Sequence, residues 1–131
     1  MRKIQSVLVL LKCLFFTASC TAPAVRPDSA AVNNMLAEKN YQLGEEVERI
    51  SDIQLDNRTF VDSKNLIMPT DNDGDFLVNL KHPCHGLKAN PVWLRSGKHR
   101  AMEKYDRFTT RHEQTNVDHC FVDAIYKLEP K

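Results

Sequence analysis

Apolar and polar residues alternate through Asp75-Phe-Leu-Val-Asn-Leu80, with Phe76, Val78 and Leu80 on one face and Leu77 and Asn79 on the other. A period of two predicts a half-buried strand. The β-branched and aromatic runs Thr59–Val61 and Asn65–Met68 predict two more, the second ended by Pro69, which cannot donate to a ladder. Between them and the alternating strand, Thr70-Asp-Asn-Asp-Gly74 predicts a hairpin loop with Gly74 at positive φ. Short strands are expected at Pro91–Leu94, where Trp93 is read as core, and at Tyr105–Thr110. His119–Leu128 reads as a long strand, with Cys120, Val122, Ala124, Tyr126 and Leu128 on one face and Phe121 and Ile125 on the other.

Elsewhere the pattern is weaker. Val47, Ile50 and Ile53 fit one helical turn or the start of a strand, and Asp56-Asn-Arg58 fits a turn. Asp28 or Ser29 can cap a short helix through Ala30, Met35 and Leu36. Pro83-Cys-His-Gly-Leu87 turns the chain. The fold class expected is α+β, mainly antiparallel β: a small single domain with one or two short helices.

The first residues belong to a different regime. Arg2 and Lys3 precede an apolar stretch from Val7 to Phe16, too short for the about 20 residues of a membrane-spanning helix. It closes on Thr17-Ala-Ser-Cys20, which resembles the lipobox of bacterial lipoproteins, with Thr17 where Leu is usual. The resemblance implies a signal peptide over 1–19 and lipidation of Cys20. Prolines and small residues after it read as a lipid-anchored tether over 20–40, and the strand pattern sets the disulfide-bonded β-rich domain at 41–131. An ordinary secretory leader cut elsewhere would also export the domain.

Export changes the reading of charge and cysteines. Of 18 Lys and Arg, Arg2, Lys3 and Lys12 precede Cys20, leaving fifteen basic against 17 acidic side chains, a net of −2. Such a domain gives no electrostatic reason to bind nucleic acid. Of four cysteines, Cys13 leaves with the leader and Cys20 takes lipid, so Cys84 and Cys120 remain to pair in an oxidising compartment.

Candidate chemistry is sparse. His82, Cys84, His85, His119 and Cys120 offer donors for Zn or Cu, with His99 and His112 nearby. Their spacing matches no standard finger. A site of His82, His85 and His119 alone would leave the disulfide intact. Asp71, Asp73 and Asp75 resemble the start of a calcium loop, but Phe76 stands where glycine is required and His82 where the bidentate Glu belongs. Ser51, Ser63 and Ser96 lack a nucleophile-elbow frame, and Glu45, Glu46 and Glu48 read as a solvated face. Lys98, Arg100 and Lys104, in a basic loop, are candidates for contact with anionic head groups or a partner.

Taken in order, Tyr41-Gln-Leu-Gly44, Phe60-Val-Asp62, Leu66-Ile-Met68, Phe76–Leu80, Cys84-His-Gly-Leu87, Asp106-Arg-Phe108 and Cys120–Ile125 resemble small bacterial lipoproteins of domain of unknown function 6491. That resemblance implies an envelope location and brings no enzymatic chemistry. It also implies two further cysteines, in neighbourhoods that hold Val47 and Met102 here, and so supports pairing Cys84 with Cys120. The expected protein is a non-enzymatic binding or structural module without cofactor. It would meet the membrane through its lipid anchor, on the periplasmic face of the outer membrane, with an envelope protein as partner. A periplasmic Zn- or Cu-binding protein is the alternative.

Overall fold

In the computed structural model, residues 29–88, 92–94, 100–112 and 116–131 are described. Everything is assembled on one long strand near the C-terminal end of the chain, β9 (Asn116–Pro130). Along one edge it pairs antiparallel first with β8 (Arg107–His112), Arg107 opposite Phe121, and then with β1 (Tyr41–Val47), Val47 opposite Ile125. Along its other edge runs β5 (Asp75–Leu80), with Phe76 opposite Lys127 and Leu80 opposite Val122. The sheet continues from β5 to β4 (Asn65–Pro69) and β3 (Thr59–Asp62), and from β8 to β6 (Val92–Leu94). A two-stranded ribbon of β2 (Arg49–Ser51) and β7 (Ala101–Glu103) lies apart from this order. Ile53 ties the ribbon to the end of β4 by a bridge to Thr70, and its N–H reaches Arg100 O at 3.1 Å. The mainly antiparallel β domain with a short helix is therefore what the alternation predicted.

Two apolar clusters form on opposite faces of the sheet. One holds Leu66, Met68, Phe76, Val78, Leu80, Cys84, Phe108, Cys120, Val122 and Ile125, together with Ile50, Ile53 and Met102 from the ribbon. The other holds Ile67, Leu77, Ala124, Tyr126 and Leu128 beneath a helix. The face assignment expected for β5 holds, while that for β9 fails. The pairing of β5 with β9 slips between Asn79–Ala124 and Leu80–Val122, leaving Asp123 as an extra residue. A bulge of this kind exchanges the faces. Cys120 and Val122 thus share a cluster with Ile125, whereas Ala124, Tyr126 and Leu128 face the helix. Val47 to Ile53 contains no helical turn, because it runs through the end of β1 and through β2, whose backbones pair with β9 and β7.

The helix, α1 (Ala30–Glu38), begins where Ser29 accepts a hydrogen bond from the Val32 N–H at 3.1 Å. That cap satisfies one of the orphan donors of the first turn. Asn40, at φ 56°, ends the helix in the left-handed conformation that asparagine tolerates. Val32 and Met35 are buried against the sheet, and burying such side chains contributes about 1.5–3 kcal/mol each. The folded body therefore includes at least residues 29–40, which the sequence assigned to the 20–40 tether. A helix with only two buried apolar residues gives too weak a pattern to mark it as part of the body. Residues 1–28, with Cys20, and Ser96, Lys98 and His99 lie outside the described residues, as do the side chains of Trp93 and His112.

Candidate functional site

Cys84 and Cys120 are joined, with Cα atoms 5.8 Å apart and both sulfurs buried. Around them the segment after β5 is fixed along the edge of β9. The Lys81 N–H donates to Phe121 O at 3.0 Å and the Cys84 N–H to Ser63 O at 2.7 Å. The His85 N–H donates to Asp118 Oδ2 at 2.8 Å. Buried Thr110 donates to His85 O at 2.5 Å, its Oγ1 lying 3.6 and 3.8 Å from the two sulfurs. These contacts make a rigid floor of the kind that holds a binding surface in shape.

Next to this floor, an open cleft of about 310 Å³ is lined by Lys81, His82, Tyr105, Phe121, Val122 and Asp123. Its two rings stand out from the surface, with Tyr105 73% and Phe121 39% exposed. Tyr105 is also the backbone outlier of the described residues, at φ 72°. Asn40 and Asp52 share positive φ, but they are residue types that adopt it readily. A tyrosine held there costs about 1–3 kcal/mol and persists only where its surroundings fix it. Here the Tyr105 N–H donates to Val122 O at 2.8 Å and the Val122 N–H to Asp106 O at 2.9 Å. Asp106 Oδ2 also accepts the Glu103 N–H at 2.8 Å. Lys104 Nζ lies 5.3 Å from the centre of the Tyr105 ring and 3.0 Å from Glu46 Oε1. The hydrogen bond that Lys104 donates to Glu46 raises the Lys104 ammonium above its ordinary pKa.

The residues singled out in the sequence are dispersed. His82 lines the cleft, His85 is held through its backbone, and His119 is exposed on β9 opposite Thr109. Among the described residues no group of three or more His, Cys, Asp or Glu side chains is disposed to hold a metal ion. Arg100 is paired with Asp71, and Lys104 with Glu46. Asp71 to Gly74 is a turn closed on itself, Thr70 N–H to Gly74 O at 3.0 Å and Asp73 N–H to Thr70 Oγ1 at 3.0 Å, with Gly74 at φ 78°. The hydrogen bond from Gln54, followed by that from Arg100, holds the Asp71 carboxyl below the ordinary range. Tyr105 and Phe121 were missed as site residues. Phe121 had a signal, since alternation set it opposite buried Cys120, but Tyr105 looked like the start of a strand.

A model of a family of unknown function matches residues 2–131. The chain belongs to DUF6491. No curated protein and no solved structure matches it. Within this DUF6491 chain, Val47 and Met102 pack into the same apolar cluster. The two neighbourhoods where the resemblance implied further cysteines are thus served by one hydrophobic core.

Proposed function

We propose that the protein is a lipid-anchored, non-catalytic binding module of the bacterial cell envelope, and that the cleft between Tyr105 and Phe121 is its ligand-facing surface. The observation that carries the binding reading is the strained, exposed Tyr105, fixed to β9 through the Val122 backbone and lining the cleft beside Phe121. A bulky ring held in an unfavourable backbone conformation and turned to solvent is poorly explained by stability alone. The anchor is supported by the leader and Cys20.

Two measurements test this reading. Metabolic palmitate should label the wild type and not Cys20→Ser, and label on the variant would refute the anchor. Full-length Cys20→Ser protein, which lacks the lipid, should be retained on isolated envelope fractions, and adding Tyr105→Ala with Phe121→Ala should abolish that retention. Retention that ignores both rings would overturn the cleft as the binding surface.

A further inference from the structure

We propose that the cleft binds a saccharide, with sugar rings of an uncharged glycan set against Tyr105 and Phe121. This rests on the binding reading above and names its ligand class. The lining combines two exposed aromatic rings with Lys81, His82 and Asp123. Lys81 supplies a cation and donors, and Asp123 supplies an anion and acceptors, so the formal charges of the pair cancel. A cleft built for an anion or a cation would carry an excess of the opposite sign. What fits balanced charge, paired donors and acceptors and flat carbon surfaces is a neutral polyol with apolar faces. A pyranose ring is such a molecule: its axial C–H groups lie against an aromatic face while its hydroxyls reach the rim.

Size and surroundings agree. A volume of about 310 Å³ is at the small end for ligand sites, suited to one or two rings, and the open shape lets a chain continue past them. Lys104 is neutralised by Glu46, which weakens the case for an anionic lipid surface. A second cleft, of about 260 Å³, contains Phe60, but Lys88 Nζ sits 4.6 Å from the centre of that ring and Arg58 lies beside it. Its one aromatic face is already occupied by a cation of the protein itself.

The test is calorimetric titration of the purified full-length chain with the tetramer of N-acetylglucosamine. Saturable binding is expected, weakened about tenfold by Tyr105→Ala or Phe121→Ala, retained by Tyr105→Phe and unchanged by Phe60→Ala. Melting curves of each variant confirm that it is folded. Absence of saturable binding, or binding indifferent to both alanines, overturns the proposal. So does ring-dependent association with phosphatidylglycerol vesicles or with a second copy in place of the sugar. If envelope retention depends on Tyr105 but the tetramer does not compete, the binding module stands and the saccharide falls.

Discussion

The hydroxyl of Ser29 donates to Asp62 Oδ2 at 2.7 Å while accepting the Val32 N–H, so one side chain caps α1 and fastens it to β3. Asp62 in turn accepts from the Lys64 N–H at 2.8 Å and from Asn65 Nδ2 at 2.9 Å. Asn79 Nδ2 continues the line to Asn65 Oδ1 at 2.8 Å, crossing three strands. Ser29→Ala should lower stability by about 1–2 kcal/mol, since it removes a cap and a donor to a half-buried carboxylate. Denaturant melts of the two proteins measure the difference.

Acid should loosen the same contact. Burial pushes the Asp62 carboxyl up, but hydrogen bonds from Ser29, the Lys64 N–H and Asn65 together outweigh it, and the net shift is downward. With the folded pKa below the unfolded value of about 3.9, the unfolded chain binds more protons between the two. The contribution of Asp62 is therefore present above pH ~4 and lost as pH falls through the folded pKa. The melting temperature of the wild type should drop on going from neutral pH to pH ~3, and Asp62→Asn should drop less. Equal drops would remove Asp62 as the cause.

Tyr105→Gly separates stability from binding. Glycine takes φ 72° without the Cβ penalty, so the variant should be more stable by about 1 kcal/mol while losing, in the Cys20→Ser background, the retention on envelope fractions. A destabilised variant would mean that the ring supports the fold.

Reduction of the disulfide has a defined cost. Closing a loop across a sequence separation of 36 contributes about 4 kcal/mol in the chain-entropy account. The Cys84→Ser, Cys120→Ser double variant should lose stability on that order, and the native protein should weigh two hydrogens less before reduction than after.

Much of this fold is legible from alternation, because β3, β4 and β5 lie in a sheet whose two faces meet different cores. The illegible parts have physical reasons. β2 and β7 have three residues each, too few for a period to show. The bulge at Asp123 is set by pairing with β5, a partner more than forty residues earlier in the chain, and leaves no local mark. The cleft depends on Tyr105 meeting Phe121 through the backbone of Val122, a junction made only when the strands assemble.

Chain length is a further test of where the body starts. A variant beginning at residue 41 leaves Ile67, Leu77, Tyr126 and Leu128 without the cover of α1, so it should bind a hydrophobic dye and melt at lower temperature. One beginning at residue 29 should behave as the full chain. Identical behaviour of both would mean that the folded body does not need α1.

The position of β9 also governs timing. It joins β1, β5 and β8, yet all three precede it in the chain. During synthesis, and during any passage through a membrane pore, β1 has no strand to close on, and the β3-β4-β5 and β6-β8 pairings have nothing to join them. Cys84 likewise waits for Cys120. The polypeptide thus cannot complete its sheet until β9 is made, and then the joined sheet, both cores and the crosslink become possible together.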